Sequence, residues 1–225
     1  LHDLLAFNDM ADLTTIKNRR DLAYALQTQT QDEVVKLIRK AVDISGSNNV
    51  VISGGYGLNC VANYNYLDQL KDEGINIYVE PISNDAGTSI GAALMMYHHN
   101  TGSTEKSPAD IYLGPQYDYS DTDIIDLSAK YDAEITDASQ DDVIDLITSR
   151  NIVTMFQGRC ENGPRALGNR SILYDPTDPS GKDFVNEVKR REYFRPFAGT
   201  ILAEDVHEWF DLRGMEDSPT MMYAV

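Results

Sequence analysis

A short apolar segment, Val50–Ser53, runs straight into the turn Gly54-Gly55-Tyr56-Gly57, and a helical pattern resumes at Asn59 and continues to Leu70. This order of buried strand, glycine turn and helix constrains the chain more than any other feature. It points to an α/β layer architecture, in which helices pack back on a sheet. The flanks agree with it. Arg20–Ile44 carries Leu22, Leu26, Val34, Leu37, Ile38 and Ala41 at helical spacing, and Gly46 with Asn48-Asn49 stops it. Ile75–Val79 reads as a second strand, Pro81–Gly87 as a loop, and Thr88–His99 as an apolar helix of small residues.

Asn100–Pro108 is polar and lacks periodicity, which marks a linker between residues 1–105 and 106–225. Beyond it, Asp121–Tyr131 and Asp141–Arg150 read as surface helices with Asp or Ser caps and acidic first turns. Asn151–Phe156 and Ser171–Leu173 read as strands on either side of a loop rich in Gly, Arg and Asn. Asp178–Arg191 follows as a helix, Phe197–Leu202 as a strand and Glu204–Phe210 as a short helix.

Charge excludes some partners. Lys and Arg number 19 against 36 Asp and Glu, a formal charge of −17, which argues against coating nucleic acid or an anionic membrane. The longest apolar runs, such as Ala92–Met96, fall far below the ~20 residues of a membrane span. Cys60 and Cys160 make neither a disulfide framework nor a metal-ligand spacing, so a reducing, cytoplasmic compartment is expected. Arg159–Arg195 departs from the general acidity, with eight basic residues against six acidic ones.

Four segments carry candidate chemistry. In Ser53–Asn59 the glycines let backbone N–H groups and a helix N-terminus approach an anion, and a purely structural turn is the competing reading. In Asn84–Ala93, Asp85 precedes a helix of small residues, where a carboxylate either binds a cation or caps the helix. In Gly158–Ser171, Arg159, Arg165 and Arg170 lie among Gly158, Gly163, Pro164 and Gly168. Guanidinium groups suit phosphate and carboxylate, and the glycines and proline specify a loop shape that a solvated surface does not need. Val188–Gly199 adds Lys189, Arg190, Arg191 and Arg195 beside aromatic residues.

NNVVISGGYGLNCVANYNYL, PISNDAGTSIGAAL, FQGRCENGPRALGNRSIL and VKRREYFRPF, in this order and spacing, resemble the NodU-type O-carbamoyltransferases. RRDLAYALQ matches the helix ahead of that family's glycine turn. The resemblance implies the second half of an actin-like (ASKHA) ATPase domain, followed by an incomplete YrdC-like α/β domain. It implies that carbamoyl phosphate is cleaved in the YrdC-like domain and that the resulting carbamate attacks the α-phosphate of ATP. Carbamoyl adenylate and pyrophosphate form, and the carbamoyl group then passes to a hydroxyl of a small-molecule acceptor. ATP, Mg2+ and Fe2+ are the implied cofactors, with room left for a homodimer.

By position, Gly54, Gly55, Gly57 and Asn59 would line the nucleotide side of the actin-like domain, and Asp85 matches the carboxylate metal ligand. Arg165, Arg170, Lys189 and Arg195 would hold carbamoyl phosphate and the phosphates of ATP, with Arg159 and Asn169 as further binding candidates. The family's iron site also takes an HxxxH pair, and His2, His98, His99 and His207 lack that spacing. With Leu1 in place of an initiator Met, the chain is expected to be a fragment cut at both ends, leaving core surface exposed and the iron site incomplete. The alternative is a non-catalytic nucleotide- or phosphate-binding remnant of the same family. A sugar-kinase-like phosphotransferase is a third reading, disfavoured by the arginine motifs.

Overall fold

The computed structural model describes residues 15–106 and 110–225. It is a mixed α/β chain of helices and two small sheets. Two compact units form: the described residues up to Asp85 with His207–Val225, and Ala86–Val206.

The first unit begins with α1, Ile16–Ser45. Thr15 caps it by accepting the Asn18 N–H at 3.2 Å, and Gly46 ends it in the left-handed region at φ 68°. β1 (Asn49–Ile52) leads through a single 3-10 turn, Gly55–Leu58, into α2 (Cys60–Leu70), and β2 (Asn76–Val79) follows. β1 and β2 pair in parallel, in register from Asn49↔Asn76 to Ile52↔Val79. Both helices cover one face of this sheet. Val35 and Ile38 of α1 meet Ala62, Tyr66 and Leu70 of α2, with Val50, Ile52 and Ile77 beneath them. Fully burying an aliphatic side chain of this kind contributes about 1.5–3 kcal/mol.

The other face is open, with Val51 67% and Tyr78 50% exposed. Val50–Ser53, expected as a buried strand, is therefore buried on one side only. Its residues alternate, because the helices cover only one face of a two-stranded sheet. The segment from His207 to Val225 wraps α2. Leu212 and Met222 are buried, the Tyr64 hydroxyl donates to the Asp211 carbonyl at 2.6 Å, and the Arg213 guanidinium stacks 3.7 Å from the Tyr64 ring.

The second unit holds α3 (Ala86–Thr101), α4 (Asp121–Tyr131), α5 (Gln140–Thr148), β3 (Val153–Thr154), β4 (Ile172–Leu173) and α6 (Gly181–Val188). α4 and α5 start as their sequences suggest. Ser120 with Asp123, and Ser139 with Asp142, close reciprocal capping boxes. β3 and β4 pair antiparallel and frame the arginine-rich loop.

Two expectations are corrected. α6 is shorter than Asp178–Arg191, because Asp178 turns the chain by accepting from the Ser180 N–H and hydroxyl, and Arg190 adopts φ 51°. Phe197–Leu202 is irregular rather than a strand. The backbone leading into it is held by side chains: Asn186 donates to the carbonyls of Tyr193 and Arg195, and Arg191 to that of Pro196. A last helical turn, α7, spans Val206–Trp209. No helix among the described residues is long and apolar enough to cross a membrane.

Candidate functional site

The glycine turn sits at the carboxyl end of β1, and the loop carrying Asp85 follows the carboxyl end of its parallel neighbour β2. Open α/β sheets place ligands at such ends. The three glycines serve different ends. Gly54 adopts φ 93°, a region that side chains strain to enter. Gly57 is needed for close approach, since a Cβ there would lie 3.1 Å from Ser83 Oγ. Gly55 has open space around it. Through Ser83, the loop that carries the exposed Asp85 lies against the turn.

Asn59 caps α2 through the Ala62 N–H at 3.1 Å. Its amide also faces that of Gln27, donating at 2.9 Å and accepting at 3.2 Å. Beneath the turn, the buried Asn63 donates to the Gly57 carbonyl at 2.8 Å. Burial, with Tyr56 nearby, pushes the Tyr66 hydroxyl far above its ordinary value.

The metal expected at Asp85 has no ready-made cage here. Among the described residues, no three His, Cys, Asp or Glu side chains cluster. A tight divalent site normally takes three or more protein ligands. The described residues therefore do not by themselves make a tight iron site.

The arginine-rich loop has a definite internal structure. One edge docks on the segment 111–114: the Gly114 N–H donates to the Cys160 carbonyl at 2.9 Å and the Asn162 N–H to that of Ile111 at 2.6 Å. The Tyr112 hydroxyl donates to the Leu167 carbonyl at 2.9 Å. Arg159 reaches back to the carbonyls of Gly114 and Leu113 at 2.9 and 3.0 Å. Arg170 clamps those of Gln157, Asn169 and Gly158 at 2.6, 2.7 and 3.2 Å, and its guanidinium stacks 3.7 Å over the Phe156 ring. Asn169 ties the two limbs together by donating to the Arg159 carbonyl at 2.7 Å.

At the centre of this loop lies Glu161. One carboxylate oxygen accepts the N–H of Leu167 at 2.6 Å and of Asn169 at 2.9 Å. Burial pushes this carboxyl up, but the N–H groups of Glu161, Leu167, Asn169 and Arg170 together outweigh it and hold it below the ordinary value. Arg165 is half-buried in the same loop. Beside the loop opens a cleft of about 250 Å³, walled by Tyr117, Tyr119 and Phe156 with Gln116, Asp118 and Gln157.

The second basic motif is shaped in the same way. Asn186, 1% exposed, and Arg191 bind the backbone carbonyls of Tyr193, Arg195 and Pro196, and Arg191 stacks 4.3 Å over Phe197. Lys189 is exposed at the end of α6. Arg195 pairs with Glu192 at 2.6 Å on the surface, and that bond lowers the Glu192 carboxyl and raises the guanidinium.

Sequence reasoning missed Glu161, Tyr112, Gly114 and Asn186. A signal existed for Glu161. A loop so rich in turning backbone presents many N–H groups, and the carboxylate at its centre is a ready acceptor for them.

The family model for the carbamoyltransferase N-terminus matches residues 1–94, and that for the carbamoyltransferase C-terminus matches 144–225, the stretch that contains the arginine loop. The chain belongs to the carbamoyltransferase family. It is 35% identical over 217 residues to the nodulation protein NolO of Bradyrhizobium diazoefficiens, covering 93% of this chain and 39% of that relative. It is 34% identical over 217 residues to the nodulation protein NolNO of Sinorhizobium fredii, covering 93% and 31%. An uncharacterised protein of Synechocystis is 36% identical over 212 residues, covering 90% and 34%. This carbamoyltransferase relative thus spans about a third of the length of the curated proteins it matches.

Proposed function

We propose that the chain is part of an ATP-dependent O-carbamoyltransferase. In this reading residues 1–105 belong to an actin-like domain and residues 106–225 to a YrdC-like one. Arg165, Arg170, Lys189 and Arg195 hold carbamoyl phosphate and the phosphates of ATP, assisted by Arg159 and Asn169. Water hydrolyses carbamoyl phosphate to carbamate and phosphate. The carbamate oxygen then bonds to the α-phosphorus of ATP as the bond to pyrophosphate breaks, which leaves carbamoyl adenylate. A hydroxyl of a small acceptor takes the carbamoyl group at the side of Gly54, Gly55, Gly57 and Asn59, and AMP leaves. Carbamate is a poor electrophile, and adenylation supplies the leaving group it lacks.

The observation that carries this reading is the arginine loop inside the stretch matching the carbamoyltransferase C-terminus. Its backbone N–H groups bind Glu161 and its carbonyls bind Arg170, while Arg159 anchors it to the carbonyls of Leu113 and Gly114, so the Arg159 and Arg170 guanidinium groups are held in fixed positions rather than ordered on ligand arrival. Preorganised charge of this kind suits a phosphate dianion.

Two measurements on the 225-residue chain test it: titration calorimetry with carbamoyl phosphate and with ATP, and pyrophosphate–ATP exchange dependent on carbamoyl phosphate. Salt-sensitive binding is expected, weakened by Arg165→Ala and Arg195→Ala. No binding of either ligand at low salt would sink the reading. Binding without exchange in the intact parent protein would favour the non-catalytic remnant.

A further inference from the structure

We propose that Glu161 is the positioning residue of the arginine loop: its carboxylate is the internal anion around which residues 159–170 fold, and it thereby sets Arg159 and Arg170 for a phosphate ligand. The role in binding rests on the phosphate reading given above; the role in loop structure does not.

Three observations converge on it. The carboxylate oxygen accepts from N–H groups that lie six and eight residues away, so one atom gathers the far limb of the loop onto the near one. Beside it, the Asn169 side chain closes the same two limbs through the Arg159 carbonyl. The path between the limbs passes through Gly163 at φ 139° and Gly168 at φ 111°, angles that only glycine adopts readily. Backbone bent so far directs N–H groups inward and needs an acceptor there, or it leaves half-buried donors unpaired.

Both bonds to the carboxylate come from the loop's own backbone, so they hold its shape before any ligand arrives. Arg159 and Arg170 act from fixed positions, the first anchored to the carbonyls of Leu113 and Gly114 and the second to those of Gln157 and Gly158.

The bland alternative is a carboxylate that merely satisfies loop donors and leaves binding untouched. The experiment uses the 225-residue chain with Glu161→Gln and Glu161→Ala, measuring amide hydrogen exchange at Leu167 and Asn169, thermal melting, and calorimetric affinity for carbamoyl phosphate at low salt. In Glu161→Ala, exchange at those two amides accelerates about tenfold or more and affinity falls about tenfold, while amides of Val51 and Val79 in the first unit are unchanged. Glu161→Gln, which keeps an acceptor oxygen without the charge, recovers part of the protection and part of the affinity. Unchanged exchange at Leu167 and Asn169 overturns the loop role. Faster exchange with full affinity overturns the positioning role and leaves only the bland one. A wild-type chain that binds no carbamoyl phosphate defeats the ligand reading instead, and is recognised because it shows no heat while the exchange result still decides the loop role. Should Glu161→Ala unfold the whole unit, Glu161→Gln alone decides on the same readouts.

Discussion

Asn63 and Met222, 159 positions apart in sequence, are joined by a 2.8 Å hydrogen bond from the Asn63 amide to the Met222 carbonyl. The same amide nitrogen donates to the Gly57 carbonyl, also at 2.8 Å. One fully buried side chain therefore fastens the glycine turn to the end of the chain, and the Ala224 N–H, donating to the Cys60 carbonyl at 3.1 Å, reinforces the junction. Asn63→Ala leaves two buried carbonyls without their donor, at a cost of about 1–3 kcal/mol. Asn63→Asp removes the donors too and adds a buried charge, so it should be worse. Urea unfolding measures both. A midpoint within error of wild type for Asn63→Asp would show that the junction contributes nothing.

Gly114 is required by contact rather than by backbone angle. A Cβ there would overlap the Cys160 Sγ and come within 2.8 Å of the Cys160 carbonyl oxygen. Gly114→Ala must push the segment 111–114 off the arginine loop, which breaks the Arg159 anchors to Leu113 and Gly114 as well. Overpacking of this kind costs about 1–3 kcal/mol. The expected outcome is a lower melting temperature together with weaker carbamoyl phosphate binding. Gly55→Ala, with open space around its Cβ, is the control and should leave the melting temperature nearly unchanged. Equal melting of the two variants would mean that the loop does not need its dock.

The architecture was largely legible and the site only in part. α1, α2, α4 and both partners of the parallel sheet lie where periodicity and capping put them, because Gly46, Gly74, Ser120 and Ser139 are local signals. The buried stripe of α1 was read in part: Ile38 lies in the core and Val34 packs against it, as expected. Leu37 is 62% exposed, and Val35, absent from the predicted stripe, is 1% exposed. Apolar spacing gives a helix its period, but which side faces the core is settled by the sheet and by α2. In the loops, sequence singled out the arginines by their chemistry. It gave no sign that Arg159 and Arg170 also bind carbonyls, since those partners are backbone atoms without a residue code. The packing of Met222 on α2 was invisible for another reason: no local pattern marks a contact between segments so far apart.

Arg170 offers a direct contrast between charge and shape. It bonds to three backbone carbonyls and stacks on Phe156, and a planar fork is needed to do both. Arg170→Lys keeps the charge and loses the fork. If the guanidinium shapes the loop, the lysine variant melts about as low as Arg170→Ala, and both expose Leu167 and Asn169 to faster exchange. Charge-assisted bonds of this type contribute about 1.5–3 kcal/mol in water-excluded sites, and less for this partly exposed side chain. A lysine variant that melts like wild type would show that only the positive charge matters at this position.

The acid response of the loop follows from the same carboxylate. In the folded chain Glu161 is held below its ordinary value of about 4.5, because backbone N–H groups favouring the charged form outweigh the cost of burial. A depressed folded value means that the unfolded chain takes up the proton first as pH falls. The stabilisation is therefore complete above about pH 4.5 and is lost as pH drops through the lower folded value. Glu33, Glu73, Asp123, Asp142, Asp178 and Glu192 are also held low and contribute their own acid slopes, which makes the wild-type curve alone ambiguous. Comparison with Glu161→Gln removes the ambiguity, because those groups are common to both proteins. The gap in urea midpoint between wild type and Glu161→Gln should be constant from pH 7 to about pH 5 and should shrink steadily below about pH 4.5. A gap that stays constant down to pH 3 would mean that the charge on Glu161 contributes nothing to the loop, and that only its size and shape do.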